Sequence, residues 1–145
     1  MITVRRAGER DIAAIAGIES AAAQRPWSCG QFSEELTLPH ARLLCAEDKG
    51  EVVGFLDMHI AADDAHINEL GVAVNCRRRG IGETLVRFSD KVAKSEGCTV
   101  LSLEVREGNG AARALYEKCG FKPVGTRKRF YKTPDEDGII MLKEL

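Results

Sequence analysis

The segment Ile67-Asn68-Glu69-Leu70-Gly71-Val72-Ala73-Val74 reads as a buried strand, and it runs through Arg77-Arg78-Arg79-Gly80-Ile81-Gly82 into an amphipathic helix. Ile81, Leu85, Phe88 and Val92 share one face of that helix at its 3.6-residue period. A strand, a basic glycine turn and a helix in succession can hold a pyrophosphate. Glycines let the backbone approach phosphate oxygens. The first helical N–H groups have no intrahelical partner and point at the anion. The helix dipole and the arginines add favourable charge. No Walker loop is present, because no Gly-Lys-Ser/Thr follows, and Leu85 stands where a dinucleotide fingerprint has its third glycine. By itself the segment also reads as a βα turn packed through its glycines, with its arginines in solvent.

A chain of 145 residues suits one domain, here residues 1–145, with one substantial core. A formal net charge of -1 gives no overall attraction to nucleic acid or to a membrane surface. No apolar run is long enough to span a bilayer, and Met1 leads almost directly into the alternating strand Ile2-Thr3-Val4-Arg5, with no signal peptide expected. Cys29, Cys45, Cys76, Cys98 and Cys119 are odd in number and lack metal-ligand spacing. A reducing cytoplasm is expected. His40, His59 and His66 are scattered, and no metal is predicted.

Strand alternation and helical periodicity give the order βααβββαβαββ. Strands are expected at 2–6, 41–47, 51–60, 66–74, 99–105, 121–132 and 139–145, and helices at 9–23, from Cys29 to before Pro39, at 79–96 and at 109–119. Ser28-Cys29-Gly30-Gln31 is a capping box, with Trp27 and Phe32 in hydrophobic-staple positions. Asp48-Lys49-Gly50 closes a hairpin. An antiparallel meander followed by helix-linked strands predicts an α/β (α+β) fold: a mixed, mostly antiparallel sheet of about seven strands with helices on both faces. The strands near 66–74 and 99–106 are joined by a helix and should lie parallel, with a crevice at their C-terminal ends.

These pieces resemble the Gcn5-related N-acetyltransferase (GNAT) superfamily over nearly the whole chain. Arg77-x-x-Gly80-x-Gly82 is similar to its acetyl-CoA pyrophosphate signature, and Asn109 through Tyr116 to Gly120-Phe121 is similar to its second cofactor segment. Pro26-Trp27-Ser28, Leu103-Glu104-Val105-Arg106, Ala114-Leu115-Tyr116-Glu117, Arg129-Phe130-Tyr131 and Asp137-Gly138-Ile139-Ile140-Met141 resemble the bacterial ribosomal-protein-alanine N-acetyltransferases. The resemblance implies acetyl-CoA as cosubstrate and the N-terminal α-amino group of a protein, an alanine of a ribosomal protein, as acceptor. The chain departs at Asn75-Cys76, where many members have a Pro-containing turn, at Gly71, and at Gly108 and Gly110, which flank Asn109.

Each required role finds a candidate. Arg77, Arg78, Arg79, Gly80, Ile81, Gly82 and Glu83 would hold the pyrophosphate, and Leu70-Gly71-Val72 would pair with the extended pantetheine arm as a pseudo-strand. A free N–H at Leu70 or Val72 could stabilise the oxyanion. The resemblance places Asn109 on the same arm. Glu104, at a strand end beside the crevice, is the candidate general base; an α-amino group with a pKa of roughly 7.7–8.0 needs only a modestly tuned carboxylate. Its structural alternative is a cross-strand ion pair with an arginine. Glu69 is the rival base, with pairing to a basic residue on a neighbouring strand as its structural role. Tyr116 is the candidate acid for the thiolate; Leu115 and Cys119 supply the apolar stripe of its helix without it. Tyr131, within the basic stretch Arg127–Lys132, and Trp27 would line the peptide groove, with a charged edge strand and a staple as the alternatives. Transfer would be direct in a ternary complex. A GNAT acting on a small amine or a lysine side chain, and a non-catalytic acyl-CoA sensor, are the competing functions.

Overall fold

The computed structural model describes residues 1–132 and 134–145. Strands β1 (Ile2–Arg6), β2 (Ala41–Asp48), β3 (Glu51–Ala61), β4 (Asp64–Val72), β5 (Val100–Arg106), β6 (Lys122–Tyr131) and β7 (Glu136–Glu144) form one sheet in the order β1-β2-β3-β4-β5-β7-β6. Helices α1 (Ile12–Ala22), α2 (Cys29–Glu35), α3 (Ile81–Ser95) and α4 (Gly110–Lys118) complete the βααβββαβαββ order. Every neighbouring pair is antiparallel except β4 and β5, which are parallel as expected. Among the described residues no helix is long and apolar enough to cross a membrane.

The differences from expectation lie at element ends. Residues 9–11 form a 3-10 turn ahead of α1, and residues 74–76 form another where the strand was expected to continue. Helix α3 begins at Ile81 because Arg78 and Gly80 have φ of 65° and 76°, a left-handed turn that cannot belong to a helix. Strand β7 starts inside the expected turn, at Glu136.

Strand alternation divides the apolar side chains between two faces. Leu44, Leu56, Met58, Ile67, Leu101, Leu103 and Met141 pack with Ile81, Leu85 and Val86 of α3. Leu43, Cys45 and Phe55 face Ile12, Ile15 and Ile18 of α1 and Phe32 of α2. The box at the start of α2 forms as read: the Gln31 N–H donates to Ser28 Oγ at 3.2 Å, and the Ser28 N–H donates to Gln31 Oε1 at 2.9 Å.

Two irregularities in β4 create the site. Its pairing with β5 covers only Asp64–Ile67 against Val100–Leu103, after which the two strands part. Its register with β3 jumps from Met58↔Ile67 to Asp57↔Glu69, so Asn68 has no partner and forms a bulge. The extra residue reverses the alternation. Ala65 and Ile67 lie in the α3-side core, and Leu70 and Val72 pack against that same core, which turns Glu69 and Gly71 toward α1. At Gly71 a methyl group would lie 2.5 Å from Phe55 Cε1 and 3.2 Å from Ile18 Cγ2. The glycine that interrupts this strand is therefore a packing requirement. Gly71→Ala should destabilise the fold by about 1–3 kcal/mol through overpacking, read as a lower urea midpoint at unchanged m-value.

Candidate active site

At the start of α3 the cap residue is Gly80, which has no side chain to offer the first turn. The Thr84 N–H closes the first helical bond on Gly80 O at 3.0 Å, leaving the N–H groups of Ile81, Gly82 and Glu83 as the open donors of that turn. Arg77 and Arg78 form no ion pair among the described residues. Arg79, expected with them, does not join them: its Nη2 lies 2.8 Å from Asp48 Oδ2, at the end of β2. The Glu83 side chain is likewise committed, at 2.8 Å to Arg87 and 3.0 Å to Lys118, so only its backbone faces the turn. A methyl at Gly82 would meet Leu115 Cδ2 at 3.2 Å, so this glycine lets α4 close on α3.

The backbone of β4 leads from this turn into the opening. The Ala73 N–H donates to Val53 O of the β3 side at 2.9 Å. Since backbone groups alternate along a strand, those of Gly71 also face β3, while those of Leu70 and Val72 face the gap left by β5. Gly71, expected to pair with a pantetheine arm, is turned the other way.

Glu104 stands where β5 has just left β4. Its Oε1 accepts from Arg127 Nη1 at 2.7 Å, while its Oε2 is buried and has no hydrogen-bond partner. Both readings of Glu104 therefore have a physical footing: the arginine pair exists, and one oxygen remains uncommitted. Tyr131 is half-buried beside it, and its ring lies 4.6 Å beneath the Arg106 guanidinium. Burial and the Glu104 charge push its phenol up to about 12. Arg106 also holds Glu136 at 3.2 Å and donates to the carbonyls of Lys132 and Pro134, which fixes the β6–β7 turn. At the closed end of the gap His66 Nδ1 is 2.8 Å from Ser102 Oγ, and burial holds the imidazole below its usual range.

Glu69 has no basic partner among the described residues, which corrects the expectation of a cross-strand ion pair. Burial and the neighbouring Glu19 push its carboxyl up to about 8, and it shares a hydrogen bond with Glu19. Glu19 is buried on α1 and accepts the Trp27 N–H at 3.1 Å. The carboxyl pair therefore ties the floor of the opening to the segment carrying Trp27, whose ring packs 5.3 Å from Phe32 as the staple predicts. Sequence reading missed Glu19 because an acid among the apolar residues of α1 looks like an ordinary exposed position.

Tyr116, the candidate acid whose structural alternative is core packing, is the buried residue of α4 and meets Phe121 edge-on at 5.8 Å. Its phenol is pushed above the usual range, first by burial, with Tyr131, Cys119 and Glu69 adding to it. Its hydroxyl makes no hydrogen bond among the described residues. Asn109 caps α4, its Oδ1 accepting the Ala112 N–H at 3.2 Å, so only its amide NH2 is left for a ligand.

Uncapped amides, Arg77, Arg78 and the Tyr116 phenol on one side of a parted sheet, with the Glu69 and Glu104 carboxyls on the other, suit transfer of an acyl group from a phosphate-bearing carrier to a cationic acceptor. The acetyltransferase (GNAT) family matches residues 12–121, and the chain belongs to it. A Bacillus subtilis (strain 168) relative, provisionally named a [ribosomal protein bS18]-alanine N-acetyltransferase, is 36% identical over 139 residues, 95% of this chain and 92% of that one. The [ribosomal protein bS18]-alanine N-acetyltransferase of Escherichia coli (strain K12) is 31% identical over 143 residues, 97% of this chain and 96% of the relative. The crystal structure of the ribosomal-protein-S18-alanine N-acetyltransferase from Escherichia coli superposes with a TM-score of 0.91 at 30% identity, covering 99% of this chain and 94% of that one.

The raised Glu69 carboxyl has a consequence for stability. Its folded value of about 8 lies above the ordinary range near 4.3, so its contribution is fully present below pH ~4.3 and is lost as pH rises through 8. The melting temperature of the wild type should therefore fall more between pH 5 and pH 8.5 than that of Glu69→Gln, as measured by thermal unfolding.

Proposed function

We propose that this chain transfers acetyl from acetyl-CoA to the N-terminal α-amino group of a protein, that of an alanine-starting ribosomal protein. The observation that carries this reading is Glu104, with one uncommitted oxygen at the point where β4 and β5 separate. The relatives, which span nearly their whole length on this chain, support the acceptor class.

The residues fit acetyl-CoA. The open N–H groups of Ile81, Gly82 and Glu83, with Arg77 and Arg78 nearby in the chain, suit its diphosphate. The Leu70 and Val72 backbones suit an extended amide chain, and one of these N–H groups can stabilise a developing oxyanion. When bound, the cosubstrate supplies the activated acetyl thioester. Glu104 then takes a proton from the α-ammonium, directly or through a water, so that the neutral amine can attack. Tyr116, held protonated by its burial, donates toward the departing sulfur. Trp27 and Tyr131 form acceptor walls, and Glu69 lies between them as a neutral carboxyl at moderately acidic and neutral pH. The five cysteines are unpaired, which suits a reducing cytoplasm.

Thiol release measured across alanine-starting peptides, lysine-containing peptides and polyamines tests the proposal. Turnover on alanine-starting peptides is expected, and turnover confined to polyamines or lysine side chains would refute the acceptor. Glu104→Gln should lower kcat by roughly 10²-fold or more, the usual scale for a general base. Tyr116→Phe should lower kcat by about tenfold or more with little change in CoA affinity, by steady-state kinetics and calorimetry. If Glu69→Gln abolishes turnover while Glu104→Gln retains it, the base is Glu69.

A further inference from the structure

Away from the opening, three ligand-type side chains converge between α2 and β3. Asp57, in β3, is 0% exposed, and neither of its carboxyl oxygens makes a hydrogen bond of good geometry, the nearest polar groups being those of Glu35 and Asn68. His59, two residues on, projects from the same face of the strand. Glu35, the last residue of α2, comes down on the same point. His59 Nε2 lies 2.5 Å from Glu35 Oε1 and 3.6 Å from Asp57 Oδ2, and one donor atom from each residue lies within 4.8 Å of the others. Neither carboxylate pairs with a lysine or arginine among the described residues. The ring of His40 packs edge-on against His59 at 4.8 Å and fixes its plane.

We infer that Glu35, Asp57 and His59 form a binding site for a first-row divalent cation of the zinc type. Zinc holds imidazole nitrogen and carboxylate oxygen at about 2.0–2.2 Å in a tetrahedron, which sets neighbouring ligand atoms roughly 3.3–3.6 Å apart. The His59–Asp57 separation already has that size. The His59–Glu35 contact must open by about 1 Å, at the last residue of a seven-residue helix. One imidazole with two carboxylates suits a borderline ion better than calcium or magnesium, which prefer all-oxygen shells. The His59 side chain is 32% exposed, giving access and room for a water ligand. The ion takes the place of the proton that burial and Glu35 otherwise hold on Asp57. It also fastens α2 to β3, and so steadies the wall that begins at Trp27 and Ser28.

The test uses the untagged full chain carrying Cys29→Ser, which removes the exposed thiol as a competing ligand. Calorimetry with zinc chloride at pH 7.5 is expected to show one equivalent bound, together with a zinc-dependent rise in melting temperature. Uptake should be lost in Asp57→Asn and in His59→Gln, each checked for folding by circular dichroism. The half-exposed His59 keeps the test valid should the Asp57 variant misfold. Cobalt should give a visible d–d spectrum without a thiolate charge-transfer band. Absence of uptake would show that protons alone hold the cluster. Uptake unchanged in the folded variants, or a thiolate band, would place the metal elsewhere. Either result overturns the proposal, and none of these readouts depends on acetyl transfer.

Discussion

The rest of the site depends on two strands that start together and then separate. Strand β4 stays bonded to β3 as far as Val72, and β5 stays bonded to β7 as far as Arg106, so each is held from its outer side while the inner sides diverge. Unpaired backbone groups inside a sheet are costly unless something else satisfies them. A ligand with an extended amide chain would meet that need at Leu70 and Val72, the proposed seat of the cosubstrate arm. The opening is bordered by residues from both layers: Tyr116 comes from α4 on one face and Glu69 and Glu104 lie on the other.

Charge is divided between these faces. The turn before α3 presents open N–H groups with Arg77 and Arg78, a setting for phosphate. The face toward α1 and α2 carries Glu19, Glu35, Asp57 and Glu69, all drawn partly or fully out of solvent. Burial on this scale is tolerated because protons and short hydrogen bonds replace water: Glu69 with Glu19, and Glu35 with His59.

Much of this was legible because it is local. The capping box at Ser28, the hairpin at Lys49-Gly50 and the parallel β4–β5 pair follow from residue types at fixed spacings. The α3 turn stood out because glycine and arginine together have few structural reasons to recur. What escaped notice depends on contacts distant in sequence. Asp48 takes Arg79 from 31 residues away. Tyr116 is buried because the chain reverses at Gly120, at φ 100°, and brings Phe121 back against it, which the periodicity of α4 alone does not reveal. Asn109 was read from its motif, whereas its carbonyl serves the helix it starts. The cluster of Glu35, Asp57 and His59 has no sequence spacing to announce it, since a helix end and alternate positions of a strand meet only in space.

The bulge at the unmatched Asn68 is what keeps the apolar residues on both sides of it in one layer. Were Asn68 paired in a regular ladder instead of bulged, everything beyond it would turn to the opposite face: Glu69 would point into the oily layer under α3, and Leu70 toward α1.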